Sequence, residues 1–164
     1  MIKKQNISRR TLLKNSVASV STLALSTGFP SILKAEENIK IGVPTILSGR
    51  VAQLGISVSN ALNMAVDNFN NNGGLDGRNI ELIIRDSRAK PDEAARVCRN
   101  FINSDKVDAI INAEASGASF AVQEVIRESG TLCLHTVSET SRLTADPEIR
   151  TWNAFRFARQ GIHD

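Results

Sequence analysis

Apolar positions change their spacing in a regular rhythm along this chain. In NIKIGVP (38–44), NIELIIRD (79–86), VDAIINA (107–113) and TLCLHTV (131–137) they alternate or run on as β-branched residues, which predicts four strands. Between them the spacing becomes helical. Ile56, Ala61, Leu62, Met64, Ala65, Val66 and Phe69 predict a helix over 55–71. KPDEAARVCRNFINS (90–104) predicts a second, with Pro91 in its first turn and Asp92 and Glu93 where the helix dipole favours negative charge. SGASFAVQEVIRES (116–129) predicts a third, stopped by Gly130. SETSRLTADPEIRT (138–151) reads as a long polar loop, NAFRFA (153–158) as a fifth strand and RQGIHD (159–164) as the opening of a further helix.

Strand and helix alternate, and the strands are apolar with few interruptions. That pattern predicts a doubly wound α/β fold with a parallel sheet covered on both faces and right-handed crossovers. In such sheets ligands bind beyond the C-terminal strand ends, where strand order reverses. The loops at 44–55, 113–118 and 136–146 therefore become the candidate site.

Charge divides the chain. Residues 1–35 hold six basic residues and no acidic one, whereas residues 36–164 hold 14 basic against 17 acidic, a net of −3. The pI near 9.1 thus belongs to the leader, and the body is not expected to bind nucleic acid. The leader has a basic head, an apolar segment SVASVSTLALSTGF and PSILKA, ending at Ala35. This is the layout of a signal peptide, and its apolar segment is shorter than the ~20 residues that span a bilayer. Arg9 and Arg10 in SRRTLLK, with Leu12, Leu13 and Lys14, resemble a twin-arginine export signal. The competing reading is a basic amphipathic surface helix. Export exposes Cys98 and Cys133 to oxidising conditions. Spacing leaves both a disulfide and two buried thiols open. No Cys/His cluster predicts a metal site, and no cofactor is expected.

Among the motifs, NNNGGLDGR (70–78) is glycine-rich, but it follows a helix and opens a strand. A phosphate cradle has the opposite context, so this stretch reads as a turn. LSGRVAQLG (47–55) follows a strand and opens a helix without a nucleotide fingerprint. AEASGASFA (113–121) places Ser116, Gly117 and Ser119 at a helix start, where hydroxyls and free N–H groups suit an anion. A plain N-cap is the alternative for Ser116. The order Ala-Ser-Gly-Ala-Ser departs from a nucleophile elbow, and no catalytic constellation follows.

Together these segments resemble the N-terminal lobe of a type 1 periplasmic binding protein of the branched-chain amino acid and amide group. The resemblance is carried by IKIGVPTILSG, VAQLG, AVDNFNNNGGLDGRNIELIIRDS, VDAIINAEASGAS and GTLCLHTVSETSRLT. It implies an exported solute-binding component of an ABC transporter. Such a protein is not an enzyme. It holds a small amino acid or amide between two lobes and delivers it to a permease in the periplasm. The first lobe then comprises residues 36–164, is incomplete, and lacks its second lobe. The resemblance places Ser48, Leu54, Ser116, Gly117, Ser138, Glu139 and Thr140 at the ligand. Ser116 matches a carboxylate-gripping serine. Ser138–Thr140 match a stretch that receives the ammonium and carboxylate, with Glu139 or Thr140 at the Thr position. Leu54 stands where some members carry a stacking Tyr. Export of this kind requires the twin-arginine machinery as a partner. An exported amidase-like α/β enzyme and the sensing lobe of a receptor are the competing functions.

Overall fold

The computed structural model describes residues 37–159. The arginine pair Arg9 and Arg10, the expected cleavage point at Ala35 and the helix expected after residue 159 lie outside the described residues. The described chain runs β1 (Ile39–Thr45), α1 (Ala52–Asn71), β2 (Ile80–Asp86), α2 (Pro91–Asn100), β3 (Ala109–Asn112), α3 (Ser116–Ser129), β4 (Leu132–His135), α4 (Arg142–Ala145) and β5 (Ala154–Arg156). A π-turn, Phe101–Asp105, extends α2 and closes at Lys106 in left-handed geometry. Every strand pair is parallel, and the order is β2-β1-β3-β4-β5. The chain steps from β1 outward to β2, then back past β1 to β3. Strand order therefore reverses between β1 and β3.

One face of the sheet is sealed. Helices α2 and α3 pack against each other and against Ile110, Cys133 and Ala154, with Phe101, Val122 and Ile126 completing a buried cluster. Gly42 admits the Phe101 ring, since a Cβ there would sit 2.7 Å from it. Side chains alternate along strands. The register Ala109↔Leu132 and Ile111↔Leu134↔Phe155 therefore turns these five residues to the opposite face. There α1 packs against β2. It leaves Leu132 43% and Phe155 50% exposed, and buries only Gly55 and Ser59 of its own twenty residues. Helices thus lie on both faces as expected, and among the described residues the second face carries α1 alone. One helix, about 10 Å across, cannot roof five strands spaced ~4.8 Å apart.

Three boundaries also move. Helix α1 begins at Ala52, ahead of the expected 55, and α2 ends at Asn100 before its π-turn. The segment read as one polar loop contains α4, because Leu143 is fully buried and anchors a turn of helix.

Candidate ligand site

The first top loop leaves β1 at Thr45 and is caught by Asp86 at the end of β2. The Asp86 carboxylate accepts hydrogen bonds from the N–H of Leu47 (2.9 Å) and of Arg88 (2.8 Å), and the Ser48 hydroxyl lies close to it. Burial pushes this carboxyl up, but those three groups and the Arg88 charge outweigh it and hold its pKa below the usual value. Ser48 is exposed on this loop. Leu54 lies in the first turn of α1 rather than in the loop, 42% exposed. Helix α1 can start this close to β1 because residue 55 is glycine. A Cβ at Gly55 would fall 2.0 Å from the Ile46 carbonyl oxygen.

The second loop is short. The Ala113 N–H donates to the Pro44 carbonyl at 3.1 Å, and the Thr45 hydroxyl donates to the Ala113 carbonyl at 3.3 Å. These bonds fasten the tip of β3 to β1 at the reversal of strand order. Ala115, not Ser116, occupies the N-cap of α3 and has no side chain able to cap. The plain-cap reading of Ser116 is therefore corrected. Ser116 is the first helical residue, half-buried, and its hydroxyl makes no hydrogen bond among the described residues. Gly117 beside it is exposed, with nothing within 4 Å of where a Cβ would stand. The opening N–H groups of α3 are thus left without a capping side chain.

The third loop leaves β4 with Thr136, whose N–H (3.1 Å) and hydroxyl (3.3 Å) both donate to the Asn112 carbonyl. Ser138 is fully buried with an unpartnered hydroxyl. Thr140 is half-buried. The Glu139 carboxylate accepts a hydrogen bond from Arg159 at 2.8 Å, so an ion pair engages the charge that the sequence left open. The structure thus brings the tips of β1 and β3 together directly and joins the third loop to them through Asn112.

Sequence reasoning missed the groups beneath these loops. Glu114 is fully buried, and neither carboxylate oxygen has a hydrogen bond. Burial raises its pKa to about 7. The nearby Ser87 hydroxyl offsets part of the rise, and the Asp86 charge adds to it. His135 is also fully buried, between Asn112 and Gln123. The one signal was alternation in β4, which turns His135 to the same side as Cys133. Cys98 and Cys133 are free and buried, so no disulfide joins them. Desolvation pushes the Cys133 thiol up to about 12 and the Cys98 thiol higher still. Among the described residues no group of three His, Cys, Asp or Glu is placed to hold a metal, and no helix is long and apolar enough to cross a membrane.

Residues 38–160 match the model of a family described as periplasmic binding protein. The Leu/Ile/Val-binding protein homolog 2 of Brucella abortus is 29% identical, over 75% of this chain and 32% of its own length. The Leu/Ile/Val-binding protein of Escherichia coli is 26% identical, over 85% of this chain and 35% of its own. The fold is similar to that of the branched-chain amino acid transporter substrate binding protein LivJ of Streptococcus pneumoniae, solved in complex with isoleucine. The TM-score is 0.68 and the identity 29%, over 75% of this chain and 34% of that one. This chain spans about a third of the length of the relatives it matches.

Proposed function

The chain belongs to the family of periplasmic binding proteins, and we propose that it forms the ligand-gripping face of an exported solute-binding component of an ABC transporter. The ligand is a small amino acid or a related amide, passed on to a permease. The protein works by binding and not by catalysis. Arg9 and Arg10 head a twin-arginine leader that routes it to the periplasm.

The observation that carries this reading is the uncapped start of α3 at the reversal of strand order. The free Ser116 hydroxyl and the N–H groups at Ser116 and Gly117 are donors without an acceptor, and the helix dipole adds positive potential there. A ligand α-carboxylate supplies the missing acceptor. The α-ammonium is received by the Ser138–Thr140 strap, and Leu54 offers apolar contact to the side chain. Because Glu139 is paired with Arg159, its charge does not oppose the ligand carboxylate. A plain amino acid therefore suits the face better than a cation. The Leu/Ile/Val specificity of the relatives supports the same class.

A thermal-shift screen of leucine, isoleucine, valine, amides and urea-like compounds tests this. One class should raise the melting temperature, since ligand at about 100 times Kd stabilises by about 2.7 kcal/mol. No response to any of them, together with hydrolysis of an amide, would sink the reading.

A further inference from the structure

A chain of buried neutral groups runs behind the site. The Asn112 amide donates one hydrogen to the Ser119 hydroxyl at 2.8 Å and the other to His135 Nδ1 at 2.8 Å. His135 Nε2 then donates to Gln123 Oε1 at 2.8 Å. The Gln123 amide spends both its hydrogens on the far side of the third loop, at the carbonyls of Leu143 (3.1 Å) and Ile149 (3.2 Å). Ser119 closes the other end by donating to the carbonyls of Glu114 and Ala115, just ahead of Ser116 (both 3.2 Å). Asn112, Ser119, Gln123 and His135 are all fully buried.

The polarity of this chain is determined. Asn112 and Gln123 use all four of their amide hydrogens. Gln123 Oε1 can only accept, so His135 must carry its proton on Nε2 and leave Nδ1 as an acceptor. We propose that Asn112, His135 and Gln123 act as positioning residues. Their relay fixes the Ser138–Thr140 strap against the start of α3, and it does so only while His135 is the neutral Nε2–H tautomer. The strap is held at two points. On one side Thr136 is bonded to the Asn112 main-chain carbonyl, a link that does not depend on the His135 tautomer. On the other, Leu143 and Ile149 are bonded to Gln123 of the relay, a link that does. The link to ligand binding rests on the function proposed above. The relay itself does not.

Protonation breaks the relay. An Nδ1–H would face the Asn112 amide hydrogens. Only rotation of that amide, turning its unpartnered Oδ1 to the imidazolium, relieves the clash, and this gives up Ser119. The elements around His135 disfavour the charge. From β5, Arg156 repels it. From β4, the Cys133 Sγ lies 3.9 Å away and stays a neutral thiol. Asn112 from β3 and Ser119 and Gln123 from α3 carry no charge. The segment that follows the strap presents only the carbonyls of Leu143 and Ile149. Desolvation first, and Arg156 second, lower the His135 pKa to about 4. The neutral relay thus holds above that pH and is lost as the pH falls through it.

The test is NMR on the chain itself, without ligand. Long-range ¹⁵N–¹H correlations should show His135 as the Nε2–H tautomer, unchanged on lowering the pH until about 4. Amide protection over 137–149 should fall at that same pH, while Ile110 keeps its protection. Gln123→Met, which retains volume but not the amide, should lower protection over 137–149 about tenfold at every pH and abolish that step. Gln123→Glu, kept protonated at low pH, should restore part of it. An Nδ1–H tautomer overturns the proposal. So does titration near the ordinary histidine value, or a Gln123→Met variant whose loss is absent or spread evenly over the core. Isoleucine shifting no resonance, with the relay signatures intact, removes the ligand reading and leaves the relay standing.

Discussion

The two faces of the sheet are drawn from alternate residues of the same strands and end up in different environments. On one, Phe101, Ile110, Ile126 and Cys133 are fully buried under α2 and α3. On the other, Leu132 on β4 and Phe155 on β5 stand half in solvent. The difference shows where the rigidity of the site originates. Ser116, Gly117 and the strap are tied to the sealed face through α3 and the buried relay. Ser48 lies on the exposed first loop, and Leu54 on the opening turn of a helix packed against β2. Apolar strand residues alone do not say which face is buried. From the strands the sealed face takes Gly42, Ile110, Cys133 and Ala154, and the other takes Ile111, Leu132, Leu134 and Phe155; it is the helices laid over each that decide how far they are buried.

The largest effect should come from opening the sealed face. Phe101→Ala removes the ring over Gly42 and is expected to cost about 3–5 kcal/mol by denaturant unfolding. A cost near zero would mean that this face is not the core.

Glu114 gives an intermediate effect with a definite pH dependence. Its folded pKa, about 7, lies above the ordinary 4.5, so the fold favours the protonated form. Stability from this group is complete below about 4.5 and is lost as the pH rises through about 7. Glu114→Gln should therefore stabilise the chain by about 1–3 kcal/mol at pH ~8 and change little at pH ~4. His135 works in the opposite sense. Its depressed pKa means stability is lost as the pH falls from about 6.5 towards about 4. Urea midpoints of the two forms at both pH values check the sign. An equal shift at both would place the Glu114 carboxylate in water.

The smallest effect belongs to the open face. Leu132→Thr or Phe155→Thr should move unfolding stability by only about 0.5 kcal/mol, because half of each side chain is already wet. A loss comparable to that of Phe101→Ala would erase the distinction between the faces.

Much of this was legible in sequence. Helix α3 spans the expected residues, and the strand positions together with the parallel topology match the apolar rhythm. The three candidate loops gather at the strand ends as expected of an order reversal. What escaped has identifiable causes. Helix α4 rests on one buried leucine inside a polar segment, too short for periodicity to register. The exposure of Leu132 and Phe155 among the described residues depends on which helices lie over them, which the strand sequence does not encode. The Asp86 anchor, the unpaired Glu114 and the His135 relay join residues distant in the chain, where spacing carries no information. Ser116 was legible as a helix start, but its freedom from capping depended on the backbone placing Ala115 one position ahead.

The central claim is that the start of α3 grips the carboxylate of a small amino acid. Isothermal titration of isoleucine into the protein, beside its Ser116→Ala and Leu54→Ala forms, tests it most directly. The account predicts measurable binding and a loss of about tenfold or more for Ser116→Ala, from removal of a hydrogen bond to a charged group. Leu54→Ala should cost less, since that side chain is already 42% exposed. Binding with unchanged affinity in Ser116→Ala would contradict the claim and leave Ser116 as an ordinary first-turn residue.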